Sequence, residues 1–91
     1  MDRELKRLRG EIDRLDERLL ALFLERMRLI DEIGAVKGER GLPVRDEARE
    51  AEILSRARER AGEACAEEAE EFFRALLAVS RGWQERRRRN T

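Results

Sequence analysis

A single arginine interrupts an aliphatic heptad pattern in the first helix expected of this 91-residue chain. Spacings of three and four residues place Arg26 on a helical face where every other side chain is aliphatic. These are Leu5, Leu8, Ile12, Leu15, Leu19, Leu22, Leu29, Ile33 and Val36, called here the seam. An unpaired guanidinium on a buried face costs on the order of several kcal/mol. Arg26 therefore needs a carboxylate, from either the protein or a ligand. Its structural alternatives are an ion pair within the protein and a polar residue that fixes helix register.

Two further cations can be related to Arg26 by helix geometry. Lys37 follows it by eleven residues, which is three turns plus about 20°, so both project from one side about 16 Å apart. Together they can bracket a small dianion. Arg9 lies about 25 Å away along the same axis. It can serve the same ligand only from an antiparallel second chain, and otherwise it is a solvated surface arginine.

Polar side chains also share faces in the second and third expected helices. Asp46, Arg49 and Glu50 stand at i, i+3 and i+4, which suits either a ligand site or an N-cap with a local ion pair. Ser80 and Gln84 continue an apolar stripe at i and i+4. They indicate either a polar-lined pocket or a helix end near solvent.

The residues that the chain lacks restrict its chemistry. It has no His and no Tyr, and Cys65 is its only cysteine. Ser–His, Cys–His and metal chemistry are therefore not expected, and neither a metal nor a cofactor is predicted. What remains is a cationic, hydrogen-bonding cage for a small polyanion. Such a cage can bind its ligand, or catalyse by holding a reactive conformer and stabilising developing charge.

Composition argues against large charged partners. Charged residues make up 46% of the chain and the net charge is zero, so neither nucleic acid nor a membrane is an expected partner. The longest apolar run, 19–24, is too short to span a bilayer, and the amino terminus lacks the apolar segment of a signal peptide. A lone cysteine favours a reduced, cytoplasmic location.

The patterning predicts an all-α protein in a single domain, 1–91. We expect helices at about 3–38, 46–61 and 64–86, followed by a frayed, solvated basic tail, 86–91. The first helix would be about 50 Å long, whereas a compact chain of this size is about 30 Å across. A second copy is the simplest cover for the protruding half, which predicts a homodimer.

The chain closely resembles the all-helical chorismate mutases over residues 5–84. The residues that carry the resemblance are Arg9, Ile12-Asp13, Leu15-Asp16, Leu19-Leu20, Arg26, Ile33-Gly34, Lys37, Pro43-Val44, Asp46, Arg49-Glu50, Ser80 and Gln84. The resemblance implies an intertwined helical homodimer with one long and two shorter helices per chain. It also implies a Claisen rearrangement of chorismate to prephenate, in aromatic amino acid biosynthesis, without a cofactor.

The resemblance assigns four residues to catalysis. Arg26 should bind one substrate carboxylate, and Arg9 of the partner subunit should bind the second. Lys37 and Gln84 should donate hydrogen bonds to the ether oxygen as its bond to carbon breaks.

The remaining substrate-binding residues follow from the same resemblance. Glu50 should accept a hydrogen bond from the ring hydroxyl, assisted by backbone near Asp46. Arg49 should brace this segment, and Ser80 should contact a carboxylate.

Two alternatives stay open. Isochorismate-pyruvate lyases resemble these mutases, but as a group they lack the Asp-x-x-Arg-Glu pattern present at 46–50. A non-catalytic helical dimer gives no reason for Lys37 in a chain whose cations are nearly all arginine, nor for polar Ser80 and Gln84 on an apolar stripe.

Overall fold

The computed structural model describes residues 2–90 and contains, within that range, three α-helices and no strand. They are α1 (Asp2–Glu39), α2 (Glu47–Ala61) and α3 (Ala66–Arg89). The predicted all-α class, with one long and two shorter helices, is confirmed. Met1 and Thr91, the ends of the expected domain, lie outside the described residues.

Helix α1 sets the dimensions of the molecule. Its 38 residues rise about 57 Å, which equals the longest dimension of the structure, 57 Å. The radius of gyration is 16.7 Å, against about 12 Å for a compact chain of this length. The first helix therefore protrudes as expected. None of the helices within residues 2–90 is both long and apolar enough to cross a membrane.

The loop after α1 and the start of α2 follow local sequence signals. Gly41 adopts a positive φ of 65°, which glycine reaches without steric cost, and the Leu42 N–H returns to the Lys37 carbonyl at 2.8 Å. Asp46 then caps α2 by accepting a hydrogen bond from the Arg49 N–H at 3.0 Å. The predicted cap at Asp46 is confirmed.

The bounds of α3 differ from the prediction at both ends. It begins at Ala66 rather than at about 64, because Gly62 ends α2 with a positive φ of 82° and the Cys65 N–H turns back to the Gly62 carbonyl at 3.2 Å. It continues to Arg89 rather than ending at about 86. The expected frayed tail is thus helical through Arg89.

Contacts with α1 explain why α3 continues. The Trp83 indole N–H and the Arg87 Nε both donate to Asp31 Oδ1, at 2.8 and 3.1 Å. The guanidinium carbons of Arg86 and Arg87 lie 5.6 and 5.2 Å from the centre of the Trp83 ring, within cation–π range. Cations also interact favourably with the negative end of a helix dipole. These contacts were missed because Asp31 and Trp83 are 52 residues apart in sequence.

The apolar core of the described chain is small. Helix α3 packs against both α1 and α2, which do not pack against each other. Ile30 of α1 and Leu77 of α3 are its buried apolar residues. The aliphatic members of the seam remain 42% to 62% exposed. The expected burial of the seam is therefore not achieved within one chain, because α3 contacts α1 on the neighbouring face that contains Ile30.

We predict that Asp31→Ala lowers the free energy of unfolding by about 1–2 kcal/mol, because it leaves the half-buried Trp83 indole N–H without an acceptor. Urea denaturation measures this change. Glu32→Ala is the matched control, since Glu32 pairs with Arg28 on the exposed face, and its effect should stay within about 0.5 kcal/mol. Equal losses in the two variants would contradict a structural role for Asp31.

Candidate functional site

Arg26 meets a hydroxyl rather than a carboxylate. Its Nη1 donates to Ser80 Oγ at 2.6 Å, and Ser80 in turn donates to the Leu76 carbonyl at 2.9 Å. Ser80 is only 3% exposed. Within residues 2–90 Arg26 has no ion pair, so the alternative of an intrachain structural ion pair is wrong. A neutral hydroxyl leaves the positive charge of Arg26 uncompensated.

A second cation increases the positive potential at Arg26. Burial, and then repulsion from Arg49, hold the pKa of the Arg26 guanidinium below its usual range. Arginine nevertheless remains charged in proteins. Both side chains line a cleft of about 520 Å³ between the three helices. Its lining also contains Ile53, Arg56, Ala57, Arg60, Ala61, Ala69 and Phe73, and no carboxylate. The cleft therefore suits an anion with an apolar body.

Gln84 lies one turn after Ser80 and is also buried, at 8% exposed. Its Oε1 is buried without a hydrogen-bond partner among the described residues. A Cβ on Gly34 of α1 would lie 3.6 Å from the Gln84 Cγ, so the absence of a side chain at Gly34 gives the amide its room. Burial of both Ser80 and Gln84 rules out the alternative of a helix end near solvent. The unpartnered oxygen marks a place where a ligand or water completes the hydrogen bonding.

Lys37 lies one turn beyond Gly34 and is half-buried. Its Nζ donates to the Val44 carbonyl at 2.7 Å, which ties α1 to the loop before α2. An ammonium has three donors, so this bond leaves two for a ligand. The structure thus places Lys37 beside the loop before α2, in a different pocket from Gln84.

The cluster at the start of α2 divides into local and long-range contacts. Asp46 caps the helix and Arg49 pairs with Glu52, as the local alternative anticipated. Glu50 instead reaches across to α3. Its Oε1 accepts from Arg81 Nη1 at 2.5 Å and lies 3.8 Å from Arg45 Nε.

Arg81 was missed by the sequence reasoning. It is 31 residues from Glu50 and has no periodic signal of its own. The only available hint was its position directly after Ser80.

Arg9 lies far from the other predicted site residues. It is exposed on the protruding half of α1, about 25 Å along the axis from Arg26. The structure therefore brings Arg26 and Glu50 to α3, near Ser80 and Gln84. Lys37 instead contacts the loop before α2, Asp46 and Arg49 make local contacts, and Arg9 lies apart. Within residues 2–90 no group of three or more His, Cys, Asp or Glu side chains is placed to hold a metal ion.

Comparison with known proteins gives a family match over most of the chain. The model of the family described as chorismate mutase type II matches residues 8–85. A bifunctional chorismate mutase/prephenate dehydratase of Aquifex aeolicus is 47% identical over 53 residues, and a T-protein of Haemophilus influenzae is 44% identical over 54 residues. A chorismate mutase of Methanocaldococcus jannaschii is 34% identical over 58 residues. No solved structure matches significantly.

These relatives are longer than the segment that matches. The aligned part covers 58%, 59% and 64% of this chain, but only 15%, 14% and 59% of the Aquifex, Haemophilus and Methanocaldococcus proteins, respectively.

We predict that Arg26→Leu raises the free energy of unfolding by about 1 kcal/mol or more, because it replaces an uncompensated charge with the residue that the seam favours. The same change should remove the rise in Tm that an added dicarboxylate such as malonate produces by mass action. Thermal scans with and without malonate measure both effects. Arg28→Leu is the control, since Arg28 is exposed and paired with Glu32. A clear loss of stability in Arg26→Leu would mean that the charge is compensated in the assembled protein.

Proposed function

Because the chain belongs to the chorismate mutase type II family, we propose that it catalyses the Claisen rearrangement of chorismate to prephenate. The observation that carries this proposal is the uncompensated charge of Arg26 beside Arg49 in a carboxylate-free cleft. Chorismate is a small dianion with an apolar ring, which matches that lining. The rearrangement forms one carbon–carbon bond as one ether bond breaks, so it needs no nucleophile.

Arg26 binds one substrate carboxylate in this mechanism. Ser80 holds the guanidinium in place through the 2.6 Å bond. Its hydroxyl donates to the Leu76 carbonyl, so it contacts the same carboxylate only after turning from that carbonyl. Arg49 adds positive potential, while its pairing with Glu52 braces the first turn of α2. Fixing both ends of the substrate holds the reactive conformer, a contribution that can reach about 7–11 kcal/mol in favourable cases.

Lys37 and Gln84 stabilise the charge that develops on the ether oxygen. The half-buried ammonium keeps two free donors beside its bond to Val44. The Gln84 amide is held against Gly34, and rotation about its last bond exchanges Oε1 and Nε2, so the buried position can present a donor. Donors that act when charge appears lower the barrier rather than only tightening binding.

Glu50 accepts a hydrogen bond from the ring hydroxyl. Its Oε1 is occupied by Arg81, which leaves Oε2 for the substrate. Backbone near Asp46, fixed by the helix cap, assists at the same place.

The active form in this proposal is an intertwined homodimer. The exposed seam provides a continuous apolar surface along α1, far longer than α2 and α3 of the same chain can cover. An antiparallel second copy covers it and brings Arg9 of the partner subunit to the second substrate carboxylate. The reaction is placed in the cytoplasm, where a lone thiol stays reduced.

The direct test is incubation of the purified chain with chorismate. We expect chorismate absorbance to fall, prephenate to form, and light scattering at micromolar concentration to give about twice 10.7 kDa. Absence of turnover would overturn the assignment as a mutase. In a parallel incubation with isochorismate, formation of salicylate and pyruvate would identify the lyase instead. An active monomer would overturn the dimer and the role of Arg9 in trans.

We predict that Arg9→Ala and Arg26→Ala are each inactive, and that mixing them under subunit exchange restores about a quarter of wild-type activity. A statistical mixture is half heterodimers, each with one intact site and one doubly altered site. Steady-state rates after exchange measure the recovery.

The matched control is a mixture of Arg26→Ala with Lys37→Ala. Both side chains serve the site of their own chain, so every site in that heterodimer keeps one defect and activity should not return. Equal recovery in both mixtures, or none in either despite exchange, would contradict the assignment of Arg9 to the partner's site.

A further inference from the structure

Two consecutive residues of α3 connect it to the other two helices at the site. Ser80 accepts from Arg26 of α1, whereas Arg81 donates to Glu50 of α2. Successive helical residues differ in direction by about 100°, which lets neighbours contact helices on two sides. Since α1 and α2 do not pack against each other, α3 and the loop bonded to Lys37 are what relate their functional groups to one another.

The contact between Arg81 and Glu50 is unlike the other ion pairs of the molecule. The two side chains are 25% and 15% exposed, respectively, and no other ion pair in the described chain has both partners so little exposed. Most of the others join residues three or four apart on exposed helix surfaces, where such pairs contribute about 0.2–1 kcal/mol. This pair instead joins two helices across 31 residues at 2.5 Å. Its partial burial makes the geometry well defined and costly to disrupt.

We propose that Arg81 is a positioning residue for the reaction, which fixes the carboxylate of Glu50 relative to Arg26 and so sets the distance between the groups that bind the hydroxyl and the carboxylate of the substrate. This inference rests on the proposed function. It assigns Arg81 no contact with substrate, because Glu50 already compensates its charge. Arg26 differs in this respect, since its charge has no carboxylate partner in the described chain.

The test compares three substitutions on α3 in the 91-residue chain. Arg81→Met removes the ion pair, and Arg81→Lys keeps the charge with a shorter single donor. Arg74→Met is the matched control, because it removes an α3 ion pair with Glu70 that lies away from the site. A displacement of about 1 Å can cost about 100-fold in rate. We therefore expect Arg81→Met to lower kcat/KM by at least about 10-fold, Arg81→Lys to recover part of the loss, and Arg74→Met to leave kcat/KM unchanged.

A double-mutant cycle with Glu50→Ala, which removes the acceptor of Arg81, separates positioning from a general loss of stability. If Arg81 acts through Glu50, Arg81→Met should have no further effect on kcat/KM in the Glu50→Ala background. Rates are measured well below each variant's Tm, so that all variants remain folded. Undiminished activity of Arg81→Met in an active enzyme, or an equal loss in both backgrounds, would overturn the positioning role and leave the mutase assignment intact. A wild-type chain without turnover would overturn both.

Discussion

The positive charge of Arg26 is the constraint on which the rest of the site depends. It is placed beside an aliphatic seam and bonded to a neutral hydroxyl, with Arg49 close enough to depress its pKa further. Burial and Arg49 disfavour the charge, and the hydroxyl that accepts from it has no negative charge to offset it. Such a group lowers the stability of the folded chain but raises its affinity for an anion, because folding has already desolvated the guanidinium before a ligand binds. In the proposed function, the buried Ser80 that holds Arg26 is part of the site for that anion.

Helix α3 determines how the polar groups of the site are related. One turn of it supplies Ser80 to Arg26, Arg81 to Glu50 and, at its end, the Gln84 amide beside Gly34. The contacts of Asp31 with Trp83 and Arg87 hold this same turn against α1. A small shift of α3 would therefore move Arg26, Glu50 and the buried Gln84 amide relative to one another. Precision at the site depends on one helix–helix interface rather than on a large core.

The sequence predicted those features of the structure, such as helix bounds, that local periodicity and capping determine. Heptad spacing gave α1 nearly to its last residue, and Asp46 marked the start of α2, because these signals act within a few residues. The polar pair Ser80 and Gln84 was recognisable from i, i+4 spacing on an apolar stripe. The pairs Arg81 with Glu50 and Trp83 with Asp31 had no such signal, since they depend on how two helices pack. For the same reason the carboxyl-terminal arginines were expected to fray, although tertiary contacts hold them in the helix.

The small core and the incomplete site have a common explanation in the proposed dimer. Within one chain the seam stays exposed, and Arg9 stands about 25 Å from the cleft that it is proposed to serve. Both features lie along α1, and in the proposed dimer a single antiparallel partner would account for both. Hydrophobic burial along the seam would then fix the register of the two long helices, and that register would determine where Arg9 of the partner subunit reaches. Dimer assembly and substrate binding would therefore be coupled. A shift in register that exposes an aliphatic side chain of the seam would also move Arg9 of the partner subunit away from the site.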